Sequence, residues 1–455
     1  MDLVVFLLLY LSFLFIYKAN RTGYYIYTLL FSFLFFFALH KVGYGLAYTS
    51  LNTLLLSLLT IVLFNGYNLK RYGKLYLSFA ILFLIYLVFV SLIQGVSFLT
   101  RVNTYKSSLI VMMWGLLLLD DIYFSKVNLK KLQCFFYSFL IFEIFLGGLQ
   151  YLFDPIRDFF RNVDYIKEGK VIEIEDVSVA GLMIGTFRNI GAYANFLTTC
   201  FVVVFLNNIS KKKFELEIIV LLILLLVTIL LSGIRSPFLI TIIVSVSAIF
   251  IYQRRLLKPL FLIVLVFFVF MGGINIASID NLRQVGYEDG GIARTMTLFN
   301  SFSGDALTTQ TTFAMTACMI PYVLINPIIG VGLHQKGGYM LSLWDTTLEE
   351  FSVTDAMLAF EIAEIGIIGV LFYLWPLWKF IKMANKIKLS LTKYKLLLFL
   401  LILMTIVDTG FMDINQLLLF FFTSAIWAQP KASCDNFRNE IEPKDAPILR
   451  KEKFN

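Results

Sequence analysis

Apolar stretches long enough to cross a hydrocarbon core of about 30 Å recur from one end of this chain to the other, and that recurrence constrains the fold more than any motif does. About 13 can be drawn, at residues 2–17, 24–40, 46–65, 75–95, 107–119, 132–153, 181–206, 216–231, 236–252, 259–277, 355–378, 396–412 and 414–429. They are apolar all round rather than alternating with a period of two. That excludes a transmembrane barrel and predicts an all-α polytopic membrane protein of about 12–14 transmembrane helices with one long exported loop. Composition agrees. Apolar residues make up 59% of the 455 and charged residues 15%, whereas about a quarter of a soluble chain is charged. Mean hydropathy is +0.83.

Basic residues fall in alternate connections: Lys18 and Arg21; Lys70, Arg71 and Lys74; Lys126, Lys130 and Lys131; Lys211 to Lys213; Arg254, Arg255 and Lys258; and the cluster from Lys379 to Lys395. The positive-inside rule sets these in the cytoplasm. The N-terminus and the segments 154–180 and 278–354 are then outside, and the tail at 430–455 is cytoplasmic. The chain divides into helices over 1–153, a loop at 154–180, helices over 181–277, the long loop 278–354, helices over 355–429 and the tail. The localisation expected is a plasma (inner) membrane, multi-pass. The net charge of +8 serves topology and anionic-lipid contact, and no motif or basic-aromatic patch points to nucleic acid.

Cys134, Cys200, Cys318 and Cys434 are spread over different compartments on this topology, so no disulfide framework is expected. His40 and His334 belong to no metal-spaced cluster, and neither a metal nor a cofactor is expected. No Walker loop, dinucleotide turn or Gly-x-Ser-x-Gly elbow occurs.

Four local patterns stand out: Gly185-Thr186-Phe187-Arg188-Asn189-Ile190-Gly191; the turn Ser232-Gly233-Ile234-Arg235-Ser236-Pro237; Gly291-Ile292-Ala293-Arg294 with the later run Asn326-Pro327-Ile328-Ile329-Gly330-Val331-Gly332; and Asp355 leading to Glu361 and Glu364-Ile365-Gly366-Ile367-Ile368-Gly369. In order and spacing, over roughly residues 181–375, they resemble the O-antigen polymerase and O-antigen ligase family. The resemblance implies a polysaccharide polymerase for O-antigen, capsule or exopolysaccharide. Such an enzyme moves a polyprenyl-pyrophosphate-linked glycan onto a lipid-linked repeat unit by inverting, metal-independent glycosyl transfer on the exported face. It also implies membrane lipid and a chain-length regulator as partners. Arg235 and Arg294 match the family's arginines and would stabilise the departing pyrophosphate, since a guanidinium fork binds two phosphate oxygens while staying charged. Arg188, Gly330 and Gly332 would contact substrate. Ligases of the family carry a histidine where this chain has Thr354-Asp355, so the ligase is the alternative and Asp355 the candidate base, with Glu349 and Glu350 behind it.

Each of these residues has a structural reading beside the functional one. Arg235 closes a helix hairpin, Arg294 is a solvated loop arginine, Arg188 caps a helix and Asp355 is a first-turn acid. Glu361 and Glu364 lie three apart on one helix face, and Glu143, Asp408 and Asp413 are further acids in or beside apolar spans. Such carboxylates motivate a second alternative, a lipid-linked oligosaccharide flippase or transporter. Thr311 to Ile325 reads as a surface-lying or re-entrant helix, and Tyr287 and Tyr339 as sugar-stacking rings.

Overall fold

The computed structural model describes residues 2–31, 53–54, 56–61, 64, 73–123, 126–153, 155–156, 165–167, 170–172, 183, 185–187, 190–209, 215–232, 234–252, 320–332, 357–384, 391–407 and 419–423. Ten helices of ten residues or more stand among them: α1 (Asp2–Ala19), α2 (Arg21–Leu30), α3 (Gly73–Gln94), α4 (Phe98–Tyr123), α5 (Leu129–Leu152), α6 (Ile190–Asn208), α7 (Leu216–Leu231), α8 (Arg235–Tyr252), α9 (Met357–Ala384) and α10 (Leu391–Val407). Between α5 and α6 a short antiparallel hairpin pairs β1 (Tyr165–Lys167) with β2 (Lys170–Ile172), Tyr165 opposite Ile172 and Lys167 opposite Lys170.

Local chemistry sets several helix starts. The Asn20 side chain accepts from Gly23 N at 3.0 Å and opens α2. Asn128 accepts from Lys131 N at 3.2 Å and opens α5, each satisfying a donor that the first turn would leave orphaned. Pro237 sits in the first turn of α8, where its missing N–H removes no ladder bond. Within apolar helices, threonines return their hydroxyls to carbonyls one turn back: Thr199 to Asn195 at 2.9 Å, Thr228 to Leu224 at 2.7 Å and Thr241 to Pro237 at 2.7 Å. Polar side chains can therefore sit inside at little desolvation cost.

Helix α6 occupies the centre of one packed group, contacting α7, α8 and α10, while α9 packs on both α10 and α3, and α3 runs along α4. Aromatics fill much of the interior. Phe187 meets Phe196 at a centroid separation of 4.8 Å, and Tyr25 meets Trp114 edge-on at 5.5 Å, the tilted and edge geometries that ring quadrupoles favour. Trp114 donates its indole N–H to Thr28 Oγ1 at 2.9 Å.

The expectation of about 13 membrane crossings is overturned. Among the described residues one helix, Leu129–Leu152, is long and apolar enough to cross a membrane. The other described apolar helical stretches run to 10–17 residues, at Phe6–Ala19, Ile81–Gln94, Leu216–Leu231, Ser236–Tyr252 and Lys395–Met404. The polytopic fold class and the multi-pass, N-terminus-out plasma-membrane topology fall with that count. Summed hydropathy does not record which way a residue faces, and here it added together two different populations. One is an internal core that includes Phe13, Leu87, Trp114, Phe196 and Leu400; the other is an outward apolar population that includes Leu92, Phe145, Leu152 and Leu216. Much of the apolar total therefore packs against protein. The sequence-based spans at 24–40, 46–65, 259–277 and 414–429 lie wholly or largely outside the described residues, as does most of the segment 278–354.

Candidate functional site: a strap in a broken helix beside a buried arginine

Helix α9 is interrupted at Gly366, whose φ of 73° and ψ of 174° are not helical. An uninterrupted ladder would run from Ile367 N to Ala363 O and from Ile368 N to Glu364 O. The break frees those four groups, and the segment 326–332 takes all of them. Val331 N donates to Ala363 O at 2.6 Å and Gly332 N to Glu364 O at 3.2 Å; Ile367 N donates to Pro327 O at 2.8 Å and Ile368 N to Ile328 O at 3.3 Å. These four groups are thereby satisfied by the strap, while Ile365 O, in the third pair that spans Gly366, accepts from Tyr86.

The strap holds its own shape through Asn326, whose carbonyl accepts from Gly330 N at 2.9 Å and whose Oδ1 accepts from Ile329 N at 3.3 Å. Glycine is required on both sides of the contact. Gly330 has φ 75°, and a Cβ there would meet the Glu364 carbonyl oxygen at 2.6 Å; a Cβ on Gly366 would meet Ile329 Cα at 2.5 Å and run into the Ile328 carbonyl. Both φ values lie where side chains other than glycine are strained.

Beneath the strap lies a polar cluster shared by α3, α4 and α9. Gln94, the last residue of α3, donates Nε2 to Ile329 O at 2.8 Å and to Glu364 O at 3.4 Å. Its Oε1 accepts from Arg101 Nη2. Arg101 is 2% exposed, and its Nη2 lies 3.7 Å from Glu364 Oε1. One turn further along α4, Tyr105 donates to Glu361 Oε2 at 2.8 Å. The two helices thus form two rungs, 101 to 364 and 105 to 361, from an i, i+4 pair on one helix and an i, i+3 pair on the other. Tyr86 closes the floor by donating to Ile365 O at 2.5 Å.

Three buried atoms of this cluster have no hydrogen-bond partner among the described residues: Arg101 Nε, Arg101 Nη1 and Glu361 Oε1. Leaving a buried donor or acceptor unpaired costs about 1–3 kcal/mol, more for charged groups. Two donor nitrogens and one carboxyl oxygen are thus left open in one place, and burial, opposed by the Tyr105 hydrogen bond and aided by the neighbouring Glu364, pushes the Glu361 carboxyl up to about 8.

Two other polar clusters stand elsewhere, one of them with a single open carboxylate oxygen among the described residues, Asp120 Oδ1. Glu143 on α5 receives Thr186 N at 3.1 Å and Thr186 Oγ1 at 2.5 Å, while Gln150 exchanges hydrogen bonds with the Gly185 backbone at 2.8 Å each way. This docks the Gly185-Thr186 motif on α5. Asp121 on α4 pairs with Arg21 and receives the hydroxyls of Tyr25 at 2.7 Å and Tyr17 at 3.3 Å. Its neighbour Asp120 is 5% exposed. Burial first, then the adjacent Asp121 charge, pushes the Asp120 carboxyl up to about 6.

The sequence-based site residues are not all brought here. Gly330 and Gly332 lie in the strap, and a Cβ on Gly332 would stand 2.9 Å from Arg101 Nη2. Arg235 begins α8. Arg188, Arg294 and Asp355 lie outside the described residues, as do Glu349, Glu350, Tyr287 and Tyr339. The described end of the segment read as a surface helix is helical over 320–325, with Leu324 and Ile325 exposed. Sequence reasoning found Glu361 and Glu364 but missed Arg101, Gln94, Tyr105 and Tyr86. The signal available was Arg101 and Tyr105 at helical spacing just before an apolar run.

No family model matches the chain, and no curated protein matches it. The resemblance to the O-antigen polymerase and ligase family is corrected accordingly. Its most specific elements, the Gly330-Val331-Gly332 run and Glu364-Ile365-Gly366, are accounted for locally, as the two halves of a strap-and-break joint that needs glycine for steric reasons. The polymerase function, with its ligase and flippase alternatives, was tied to a multi-pass topology on an exported face. With one qualifying helix among the described residues, it is set aside.

Proposed function

We propose that this protein binds a small phosphate-bearing molecule at Arg101. The observation that carries the reading is a fully buried guanidinium with two nitrogens lacking hydrogen-bond partners among the described residues, beside a buried carboxyl group with one open oxygen. A guanidinium calls for acceptor oxygens, and arginine is suited to phosphate because its planar donors remain charged when desolvated. Burial pushes the Glu361 carboxyl up to about 8, so at neutral pH it holds a proton and its open side can donate as well as accept. A phosphate then supplies acceptor oxygens to Arg101 and to the Glu361 O–H from one centre.

Calorimetric titration of the purified full chain with sodium phosphate at neutral pH tests this. Phosphate binding, its loss in Arg101→Gln, and its retention in Glu361→Gln, whose amide donates in place of the carboxyl O–H, are expected. Absence of phosphate binding in the wild type, or equal binding by Arg101→Gln, removes the proposal.

A further inference from the structure

We infer that the strap 326–332 is a removable closure over the Arg101 site, and that its release is compensated by the healing of α9. The clause about ligand rests on the phosphate reading above; the clause about the helix does not.

The strap occupies Ala363 O, Glu364 O, Ile367 N and Ile368 N, and these four are the partners of one another in a continuous α-helix. When the strap leaves, Ile367 N can return to Ala363 O and Ile368 N to Glu364 O once Gly366 rotates to helical dihedrals, which glycine does without a Cβ penalty. The same rotation returns Gly369 N to Ile365 O, which Tyr86 occupies in the strapped state, so no backbone group of α9 is then stranded. A segment inserted into the ladder at groups that cannot pair among themselves would pay for every lost bond. This one exchanges one satisfied arrangement for another, which is what a two-state element needs.

Release also reaches the buried arginine. Gln94 is the shared residue, donating to the strap at Ile329 O and accepting from Arg101 on its other end. Gly332 lies against the same guanidinium, so close that a Cβ would stand 2.9 Å from Nη2. With the strap seated, Gln94 is held from both sides and Arg101 is fixed and covered. With it gone, the guanidinium loses both its cover and the anchor of its positioning residue. Ala363 is fully buried, and Tyr322, Val323 and Val331 pack against it, so the seated state has its own apolar grip. The outward side of the joint is apolar and exposed at Ile328, 60%, and Leu324, 72%.

Amide hydrogen exchange on the full chain, with and without inorganic phosphate, reads the two states directly. Gly366→Ala places a methyl against the Ile328 carbonyl and favours the healed helix. Gly330→Ala expels the strap from the opposite side and leaves Gly366 intact, so the second variant serves if the first does not fold. In both, the amides of Val331 and Gly332 are expected to exchange faster while those of Ile367 and Ile368 stay protected. Protection lost at all four together, or retained at Val331 and Gly332, overturns the closure.

Phosphate is expected to slow exchange at Val331 and Gly332 in the wild type, and the glycine variants to bind it roughly 5- to 150-fold more weakly, by reciprocal linkage. Wild-type binding with strap amides unmoved and variant affinities unchanged overturns the coupling. A wild type that ignores phosphate in the titration removes the binding proposal instead, and the exchange pattern of the variants still decides the closure.

Discussion

Arg101 and Glu364 face each other across α4 and α9, Nη2 to Oε1 at 3.7 Å, with both side chains 1% exposed. That separation is too long for a direct hydrogen bond, so Gln94 completes the contact by accepting from the same nitrogen. Removing the cation leaves the buried Glu364 side chain without the charge that faces it. Arg101→Met is expected to destabilise by about 3–5 kcal/mol. The double variant Arg101→Met with Glu364→Gln should cost less than the single one, because it withdraws one stranded charge. Denaturant midpoints compare them; equal losses would mean that the pair is not coupled.

Among the described residues Tyr105 supplies the one hydrogen bond that Glu361 has, at Oε2, while Oε1 has none. Tyr105→Phe keeps the ring and removes the hydroxyl. A loss of about 1–3 kcal/mol is expected from leaving the carboxyl wholly unpaired. A change within a few tenths, by the same denaturant measurement, would show that the rung contributes nothing.

Two adjacent glycines on α5 should respond in opposite directions. A Cβ on Gly148 meets nothing within 4 Å, whereas one on Gly147 runs into the Tyr193 hydroxyl, which donates to Glu143 O at 2.8 Å. Gly148→Ala is expected to stabilise by up to about 1 kcal/mol through helix propensity. Gly147→Ala is expected to destabilise, by about 1–3 kcal/mol for overpacking. Thermal midpoints of the two variants decide, and a shared sign would contradict the packing.

Asp120 provides the pH dependence. Its carboxyl is raised from 3.8 to about 6 by burial and by Asp121, so between those values the folded state holds a proton that the unfolded state has released. Stability from this group therefore falls as pH rises from about 4 to about 6, and the penalty stays in place above that. Asp120→Asn removes it. The variant should gain up to about 3 kcal/mol at pH 7, from roughly two pKa units at 1.36 kcal/mol each, and little at pH 3.5. Stability measured across that range should converge for the two proteins at the acid end; a constant offset at all pH values would rule out titration as the cause.

The same sequence positions were legible to different degrees. Glu361 and Glu364 could be placed on one helix face from their spacing alone, since the geometry of an α-helix fixes which side chains share a face. The glycine run 330–332 and Gly366 could be singled out, but their meeting could not, because the hydrogen bonds that join them cross more than thirty residues of chain. Arg101 stood in a stretch that hydropathy assigned to the lead-in of an apolar span. Nothing local distinguishes it from Lys106 on the same helix, and the arginines chosen by resemblance were Arg235, Arg294 and Arg188.

By itself the sequence determined that the chain is helical and where several helices begin, because apolar density, Asn20 and Asn128 as caps and Pro237 in a first turn act within a few residues of where they stand. It also determined that Gly330 and Gly366 could take positive φ, a freedom carried by the residue alone. Only the tertiary structure decided which apolar residues pack inward, which lie on the surface, and which cation is buried against Glu361 and Glu364. Those outcomes depend on burial and pairing between segments far apart in the chain, and the energy of a charge is set by the side chains that surround it rather than by its neighbours in sequence.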